Sequence, residues 1–326
     1  MTRPFSVDPV WSALMEQLGL RPAEILRAAQ LQEDLFSRSR PKLSAEEFQR
    51  FWDAFAPAMG GNAPGLSLGR SVSPDVFSPP LFAAFCSPDL VAAAARLAQY
   101  RPLTGPLVLE SHDMTGGLEV TFGPDSGVEL PDEFVAAELV FLVQLARMAT
   151  RLEIRPIAVE MQRPPKSGDY AEFFGHRVRR GPFDRVVFSP VDARRPFVTA
   201  NPALFAAFEP ELRLRLDELA VNASVSERVR TSLMEALPSG QGNVKSVAMR
   251  LGMSSRSLQR NLGGEGTSFQ TELQVLRARL ATTYLSKTNQ TSAEISFLLG
   301  YDDPNSFIRA FHDWTGTTPE AMRRAG

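Results

Sequence analysis

Apolar residues recur with the period of an α-helix in about the last hundred residues of the chain. The apolar positions of the first such segment are Val244, Val247, Ala248 and Leu251. Their spacing of i, i+3, i+4 and i+7 is typical of a helix with one buried face. Gly252 then interrupts the pattern, and Leu258 and Leu262, one turn apart, begin a second apolar stripe. This order of helix, glycine turn and helix predicts a helix-turn-helix unit.

The same order recurs roughly fifty residues further along the chain. Ile295 and Leu299 lie about one helical turn apart, Gly300 interrupts their stripe, and Phe307 and Phe311 begin the next one. Polar residues suited to capping precede the predicted helices, namely Asn243, Ser254, Thr291 with Glu294, and Asp303 ahead of Pro304. The pattern therefore predicts two helix-turn-helix units in tandem.

One long amphipathic helix is predicted between the two units. Its apolar positions are Phe269, Leu273, Leu276, Leu280 and Tyr284. Thr267 and Gln270 have the spacing of a capping box at the start of this helix. We expect the helix to hold the two units at a fixed separation.

The preceding part of the chain predicts helices grouped around a small sheet. Helical spacing covers Val10–Leu18, Phe48–Phe55 and Leu90–Tyr100, whereas residues 56–80 predict a loop with at most short helices. Apolar alternation and short apolar runs predict strands at Leu107–Leu109, Leu118–Phe122, Ile157–Met161 and Val186–Phe188. The first two of these strands predict a hairpin.

A further predicted helix, from Asp132 to about Arg151, is apolar on more than one side. One face consists of Phe134, Phe141, Leu145, Met148 and Leu152, and other sides carry Val135, Leu139 and Val143. Because these residues exceed a single buried stripe, we expect more than one layer to cover this helix. For the same reason we expect this domain to form a homodimer.

The length of 326 residues favours two domains over a single core. We expect an α+β domain, helices with a small sheet, over residues 1–222, followed by an all-α domain of two helix-turn-helix units over residues 223–326. The second range contains 12 Lys or Arg against 9 Asp or Glu, and the first contains 23 against 28. Positive charge is therefore concentrated beside the predicted units, as contact with phosphate groups would favour.

Composition restricts the class of protein further. Hydrophobic residues make up 44% of the chain and charged residues 22%, which is typical of a folded soluble protein. No apolar run approaches the roughly 20 residues of a membrane helix, and the first residues lack the apolar core of a signal peptide. Cys86 is the only cysteine, which excludes an internal disulfide and fits a reducing compartment. We expect a cytoplasmic protein without membrane contact.

The second helix of each unit carries polar side chains away from its apolar stripe. The candidate DNA-contacting residues are Arg256, Gln259, Arg260, Asn305, Ser306 and Arg309. Arginine pairs with guanine O6 and N7, and Asn or Gln pairs with adenine N6 and N7, in the major groove. One helix-turn-helix pattern alone is often only a packed helical corner. Two in tandem, both with outward polar faces, favour binding of double-stranded operator DNA.

The motifs of this segment are those of a known family. They are Ala248-x-x-Leu251-Gly252-Met253-Ser254, Ser257-Leu258-Gln259-Arg260, Glu265-Gly266, Arg277-x-x-Leu280-Ala281, Leu299-Gly300-Tyr301 and Phe307-x-Arg309-Ala310-Phe311-x-x-Trp314-Thr315-Gly316-x-x-Pro319. Over about one hundred residues the chain strongly resembles the AraC/XylS transcriptional regulators. The resemblance implies seven helices, with both recognition helices in successive major grooves on one face of the DNA. We therefore expect a sequence-specific regulator that works with RNA polymerase. We favour an activator, and the sequence leaves repression open as the alternative.

Two positions depart from the pattern of that family. Ser296 stands where alanine is usual, and Ala293 stands where a bulkier aliphatic residue is common. We expect the second unit to pack more loosely for this reason.

The N-terminal part is similar to the companion domain of one branch of the same family, an arabinose-binding-like domain. The motifs that carry this similarity are Tyr170-x-x-Phe173-Phe174-Gly175, Val187-Phe188 and Arg195-Pro196-Phe197. It covers roughly residues 10–215 and does not imply arabinose as the ligand. It implies control by a small-molecule effector, whose identity the sequence leaves open.

Two other classes remain open at this stage: an enzyme fused to a DNA-binding domain, and a DNA-binding protein without an effector. Cys86, the only candidate thiol nucleophile, has no neighbouring His or basic residue to lower its pKa, which favours a buried structural role. His112, His176 and His312 lack the spacing of metal ligands. We expect no enzymatic activity, no metal and no cofactor.

One basic cluster has no role that the sequence decides. It consists of Arg177, Arg179, Arg180 and Arg185. These residues are suited to an anionic-ligand site, but the interpretation we favour is a solvated surface or a contact between domains. Tyr100, His112 and Arg163 lie near predicted strand ends, from where their side chains can reach a pocket.

Overall fold

The computed structural model describes residues 4–8, 10–38, 41–125, 128–221, 224–287 and 290–325. The chain divides into two compact units, residues 2–217 and residues 218–326. The boundary expected between residues 222 and 223 lies outside the described residues.

The N-terminal unit is built from helices and two small sheets. Its helices are α1 (Trp11–Gln17), α2 (Pro22–Ala28), α3 (Ala45–Met59), α4 (Pro64–Ser71), α5 (Pro79–Phe85), α6 (Leu90–Tyr100), α7 (Asp132–Thr150), α8 (Asp169–Phe174), α9 (Pro190–Ala193) and α10 (Pro202–Val221), which extends past the division between the units. Its strands are β1 (Phe5–Ser6), β2 (Lys42–Leu43), β3 (Leu107–Met114), β4 (Gly117–Pro124), β5 (Ala158–Met161), β6 (Arg179–Arg180) and β7 (Asp184–Phe188). A 3-10 turn spans Arg101–Leu103. The expected α+β class is confirmed.

The larger sheet has the strand order β3-β4-β7-β5-β6, antiparallel except for the parallel pair β5 and β6. The predicted hairpin is confirmed, with Met114 opposite Gly117 beside the turn. Gly117 has a φ of +129°, and a Cβ there would lie 2.0 Å from the carbonyl oxygen of Phe188 on β7. A glycine is therefore required where β4 begins to pair with β7.

Helix α7 lies in the centre of this unit, so the expectation that several layers cover it is confirmed. Its residues Phe134, Leu139 and Val143 are at most 3% exposed. Helix α4 approaches it so closely that a Cβ on Gly69 would lie 2.6 Å from the carbonyl oxygen of Ala137. The apolar sides of α7 are thus covered within the unit, and the reason we gave for dimerisation through this helix was wrong.

The end of α7 also differs from the prediction. The helix ends at Thr150, and Arg151 adopts a left-handed conformation with φ of 56°. Leu152, expected on the buried face, is 47% exposed because the chain has already turned away from the helix axis.

The C-terminal unit is all-α in its described residues. Its seven helices are α11 (Val225–Ala236), α12 (Val244–Arg250), α13 (Ser255–Gly264), α14 (Phe269–Lys287), α15 (Ser292–Leu298), α16 (Pro304–Thr315) and α17 (Pro319–Ala325). Both predicted helix-turn-helix units are present, as α12 with α13 and as α15 with α16.

Helix α14 belongs to two hydrophobic cores. Its first half contributes Phe269, Leu273 and Leu276 to the core of the first unit. Its second half contributes Ala281 and Leu285 to the core of the second unit. The two cores therefore share one rigid element.

The expected capping box at the start of α14 is wrong. Ser268 Oγ accepts a hydrogen bond from the backbone N–H of Thr271 at 3.1 Å, whereas Thr267 Oγ1 donates to Glu272 Oε1 at 2.7 Å. The helix begins one residue later than a box from Thr267 to Gln270 requires, because the serine and not the threonine precedes its first turn.

Candidate DNA-binding interface

Side-chain caps fix where the helices of the first helix-turn-helix unit begin. Asn243 Oδ1 accepts from the backbone N–H of Ser246 at 2.9 Å at the start of α12. Ser254 Oγ accepts from the backbone N–H of Ser257 at 3.1 Å at the start of α13. Between the helices, Gly252 has a φ of +67°. All three features were predicted from the sequence, and they set the direction in which α13 leaves the turn.

The second unit uses the same devices with different residues. Thr291 and Glu294 form a reciprocal capping box, in which the N–H of Thr291 donates to Glu294 Oε2 at 2.7 Å. The two hydrogen bonds from Thr291 hold the pKa of Glu294 below its usual value. Asp303 caps α16 by accepting from the backbone N–H of Ser306 at 2.9 Å, with Pro304 as the first helical residue. These predicted caps are confirmed.

The outward face of α13 carries the predicted side chains. Arg256, Gln259 and Arg260 are exposed, whereas Leu258 and Leu262 are fully buried on the opposite side. Within the residues that the structure describes, Arg256 and Arg260 make neither a hydrogen bond nor an ion pair. Their guanidinium groups are therefore available to acceptors outside the chain.

Helix α16 presents Asn305 and Arg309 in the same manner, above the fully buried Phe307 and Phe311. Ser306 is only partly exposed, and its hydroxyl group donates to the carboxylate of Asp303 while accepting from Arg309 at 3.4 Å. The side chain of Ser306 thus lies against the cap and the arginine, and its hydroxyl is less free to meet a base than the side chain of Asn305.

The two helices correspond residue by residue when their caps are aligned. Arg256 and Asn305 both lie two residues after the cap, and Gln259 corresponds to Ile308. Ile308 is partly buried and packs against the core of the second unit. The second helix consequently offers one polar side chain fewer on this face than the first.

Arg277 fastens α14 to the turn of the second unit. Its Nε–H donates to the carbonyl of Leu299 at 2.8 Å, and its Nη2 donates to the carbonyl of Gly300 at 2.8 Å. Its guanidinium also stacks on the ring of Tyr301, 4.2 Å from the ring centroid. One planar cation thus satisfies carbonyls that the end of α15 leaves unpaired.

Glu265 has a comparable role in the first unit. Its carboxylate accepts from the backbone N–H groups of Val225 and Ser226 at 2.7 and 2.9 Å, at the start of α11. The sequence singled out Glu265 and Arg277 only as letters of family motifs, and periodicity alone gave no reason for either. Both side chains bind backbone atoms across the unit, which gives each of them a structural role that local sequence does not reveal.

The basic cluster of the N-terminal unit is not one group. Arg177, Arg179 and Arg180 are exposed and, with Lys166, line an open groove of about 860 Å³. Arg185 lies on β7 between two acidic residues of the neighbouring strands. It donates to Glu119 at 2.8 Å and to Glu160 at 2.9 Å, and so it belongs to a cross-strand ion-pair network.

The residues expected near a pocket lie apart from this groove. Tyr100 is fully buried, Arg163 pairs with Asp132 at 2.6 Å, and His112 is partly exposed on β3. None of the three lines the groove.

Cys86 is unsuited to nucleophilic chemistry. It is 4% exposed, and burial raises the pKa of its thiol above the usual value, which disfavours the thiolate. In the described ranges, no group of three or more His, Cys, Asp or Glu residues is arranged to hold a metal ion. Across those same ranges, no helix is both long and apolar enough to cross a bilayer.

Comparison with known proteins gives matches along nearly the whole chain. The sequence model described as "Arabinose-binding domain of AraC transcription regulator, N-term" matches residues 19–197, and the one described as "Helix-turn-helix domain" matches residues 247–325. The ornithine utilization regulator of Pseudomonas aeruginosa is 28% identical, covering 96% of this chain and 93% of its own. The transcriptional regulator VirS of Mycobacterium tuberculosis is 26% identical, covering 97% and 94%. The crystal structure of the transcriptional regulator CdpR from Pseudomonas aeruginosa has a TM-score of 0.40 and 19% identity, covering 98% of both chains.

Proposed function

Because the chain belongs to the AraC family of transcriptional regulators, we propose that it activates transcription from specific operators when a small molecule binds its N-terminal unit. Its relatives are DNA-binding regulators and not enzymes. The proposal has three parts: which residues contact the DNA bases, that the protein activates transcription, and that a small-molecule effector controls it.

The observation that carries the DNA-reading part is the pair of exposed faces on α13 and α16. In this proposal Arg256, Gln259 and Arg260 read one major-groove segment, and Asn305 and Arg309 read the next. Ser306 contributes by orienting Arg309 as well as by contacting DNA. Arginine bidentate to guanine and Asn or Gln bidentate to adenine are the pairings this chemistry favours.

Effector control is supported by the nature of the N-terminal unit. A domain of some two hundred residues with its own core is not needed for DNA binding, and the family model that matches it is described as a ligand-binding domain. The relative named as an ornithine utilization regulator suggests that the effector of this chain is also a metabolite. Arabinose itself is not part of the proposal.

The proposal includes a homodimer and a contact with RNA polymerase at the promoter, in the cytoplasm. Since α7 is covered within the unit, a dimer must use another surface of the chain. Sedimentation velocity of the full chain at micromolar concentration tests this, and a species of 35.9 kDa alone contradicts it.

The decisive experiment selects bound sequences from a random DNA library with the full chain, and then maps the protected bases by footprinting. Transcription from a promoter carrying the selected site is then measured with purified RNA polymerase and a metabolite panel. We expect a two-part site and effector-dependent activation.

A chain in which both Arg260 and Arg309 are replaced by alanine is the matched control, and it should enrich the selected site far more weakly than the unmodified chain. Repression with every metabolite contradicts the activator role. A transcript level that no metabolite changes contradicts effector control and favours a regulator without a ligand.

A further inference from the structure

The open groove beside Lys166 and Arg177 lies at the edge of the larger sheet in the N-terminal unit. Strand β6, the last strand in the order of that sheet, lines the groove together with the segment that leads into α8. The volume of the groove is about 860 Å³. Small-molecule sites commonly measure roughly 300–1,000 Å³, so the groove is large enough for a metabolite.

The charge of the groove is of one sign. Lys166, Arg177, Arg179 and Arg180 line it, and no aspartate or glutamate is among the described residues of its lining. All four basic side chains are exposed. Within the part of the chain that the structure describes, none of the four side chains makes a hydrogen bond or an ion pair. The groove therefore carries four cationic groups without a neutralising partner.

Other exposed arginines of the same unit are neutralised. Arg21 pairs with Glu24 at 2.7 Å, and Arg27 pairs with Glu33 at 2.9 Å. Arg194 pairs with Asp113 at 2.7 Å. Like charges that are close together repel one another, and an added anion relieves that repulsion. The contrast with the paired arginines indicates that the groove is suited to an anion from outside the chain.

The register of β6 places its two arginines on opposite faces of the sheet. Arg180 lies opposite Met161, whose side chain is buried in the core, and Arg179 lies opposite Glu160. Neighbouring residues of a strand point to opposite faces, and paired residues point to the same face. Glu160 is already paired with Arg185, so it does not neutralise Arg179. A ligand that meets both arginines must extend across the edge of the sheet.

The segment that carries these arginines is held at both ends. Before it, His176 Nε2 lies 3.0 Å from the carbonyl oxygen of Pro156, with the ring N–H as the donor. After it, the backbone N–H of Gly181 donates to the carbonyl of Met161 at 3.0 Å. A binding segment that is already fixed loses less conformational freedom when a ligand binds.

The aromatic residue of the lining takes no part in recognition. Tyr170 is 1% exposed, and its hydroxyl group donates to Glu133 Oε2 at 2.9 Å and accepts from the backbone N–H of Leu66 at 2.9 Å. Its ring is therefore not available for stacking, and its hydroxyl group is already used. Selection in the groove depends on charge and on the spacing of charges.

We propose that this groove binds a small elongated molecule with two or more phosphate or carboxylate groups, and that Arg179 and Arg180 hold different anionic groups of it. Arginine forms strong charge-assisted hydrogen bonds with both kinds of group. A DNA duplex presents its phosphate groups on a convex surface, which fits a groove of this size less well than a small chain-like anion does. The proposed function enters in one respect only, namely that this molecule is the effector.

The test uses four probes on the full chain, with calorimetry at constant ionic strength. Tripolyphosphate is an elongated anion, inorganic phosphate is a compact one, citrate carries carboxylates in place of phosphates, and spermidine is a cation. We expect tripolyphosphate to bind at least about tenfold more tightly than inorganic phosphate, because it can reach both arginines of β6. Spermidine should not bind. Citrate affinity near that of tripolyphosphate identifies multivalent anions in general as the ligand class, and weaker affinity restricts the class to phosphates.

The DNA-binding unit also carries exposed arginines that can attract these probes. The series is therefore repeated on a chain with Arg256→Gln, Arg260→Gln and Arg309→Gln. The affinity for tripolyphosphate should be unchanged in this chain. If the three substitutions abolish binding, the groove is not the site.

A matched pair of variants locates the bound anion. One variant replaces three exposed, unbonded arginines of the groove, Arg177→Gln, Arg179→Gln and Arg180→Gln, and it should lose at least about tenfold in affinity for tripolyphosphate. The control changes the net charge by the same amount elsewhere in the unit, through Arg21→Gln, Arg27→Gln and Arg194→Gln. Its affinity should stay that of the unmodified chain. Circular dichroism verifies both folds, and the single variant Arg180→Gln gives the same test with the smallest change.

Several outcomes overturn the proposed site. Equal losses in the groove variant and its control would show attraction to net charge and no defined site. Equal affinity for tripolyphosphate and inorganic phosphate would contradict a ligand that spans the edge of the sheet. If no anion binds, while the groove variant loses affinity for a duplex of random sequence, the groove contacts DNA and not a small molecule.

These measurements are made without operator DNA, so they fail or succeed independently of the proposed function. Selective anion binding in a chain that selects no operator would retain the site and contradict the regulator. Selective binding of an anion that leaves transcription unchanged would retain the site and contradict its role as the effector site.

Discussion

Arg260 and Arg309 each lie six residues after the residue that caps their helix, Ser254 in α13 and Asp303 in α16. Equal distance from equivalent caps gives both arginines the same rotation and rise on their helices. Since both side chains are exposed, the two units offer the same guanidinium from the same place on two recognition helices.

Replacing either arginine should weaken binding to the selected operator without changing the fold. We expect Arg260→Ala and Arg309→Ala each to cost about 1–3 kcal/mol, or roughly 5- to 150-fold in affinity, by loss of one base contact. Fluorescence anisotropy at fixed salt concentration measures the affinity, and circular dichroism verifies the fold.

The control for these variants is Arg21→Ala, which removes an exposed arginine of the N-terminal unit that pairs with Glu24. Its affinity for the operator should be unchanged. Unchanged affinity of both Arg260→Ala and Arg309→Ala would show that other faces read the DNA.

The operator should contain two major-groove boxes about one helical turn apart for each protein chain. The reason is the continuity of α14, whose 19 residues form a rod about 28 Å long that is shared by both cores. Two rigidly linked helices reach the same face of B-DNA only if their boxes are about 10 base pairs apart, or if the DNA bends.

Inserting about five base pairs between the boxes turns one box to the opposite face. Affinity should then fall towards that of one helix-turn-helix unit bound to its box together with contacts to phosphate groups. An insertion of about ten base pairs keeps both boxes on the same face and therefore tests the effect of their distance alone. Full protection of both boxes on the five-base-pair site, seen by footprinting, would rule out rigid coupling.

The arginine that fastens the second unit should matter for stability and not for base recognition. Arg277→Met removes two charge-assisted hydrogen bonds and a stacked ring contact, and we expect a loss of about 2–4 kcal/mol in the free energy of unfolding. Arg277→Lys should recover less than half, because an ammonium group cannot donate to both carbonyls in one plane.

Arg279→Met is the matched control, since Arg279 lies two residues along the same helix and is exposed. Denaturant unfolding followed by tryptophan fluorescence and circular dichroism measures these changes. An Arg277→Met chain as stable as the Arg279→Met chain would contradict the anchoring role.

Sequence analysis correctly predicted the features that depend on residues close together in the chain. Asn243, Ser254 and Asp303 cap their helices as expected, because a cap needs only a side chain and a backbone N–H two or three residues away. The apolar stripes of α13 and α16 were equally clear, since their period alone identifies the buried side.

The features that sequence analysis missed depend on distant parts of the chain. Glu265 binds the start of α11, which is about forty residues away in the chain, and Arg277 binds a turn more than twenty residues away. Leu152 was misplaced because Arg151 ends α7 in a left-handed conformation without a glycine to signal it. Helix α4 covers α7, and this contact likewise depends on tertiary packing, which the spacing of apolar residues in α7 does not reveal.

Ser296 allows a test of packing in the second unit. Its side chain is fully buried, and its hydroxyl has no hydrogen-bond partner among the described residues. We expected looser packing at this position. The structure instead shows a closed core that contains a hydroxyl group without a hydrogen-bond partner among the described residues. Ser296→Ala should stabilise the unit by about 1 kcal/mol, because it removes a buried polar group that has no partner.

Calorimetry of the full chain measures this as a rise in the melting temperature of the C-terminal transition. Ser239→Ala is the control in the same unit, since the Ser239 hydroxyl donates to the carbonyl of Ala236 at 3.0 Å and its loss should destabilise. A lower melting temperature for Ser296→Ala would show that the hydroxyl has a partner in solution.

Glu265 and Arg277 hold the frame of the DNA-binding unit through backbone atoms, which are present whatever side chains surround them. Arg256 and Arg260, in contrast, make no contact of this kind within the described residues. If Arg256 and Arg260 read the DNA as proposed, stability and operator preference are encoded at separate positions. Such a chain can change its target sequence by single substitutions on α13 without having to regain its fold, which favours both evolutionary divergence of its operators and their deliberate redesign.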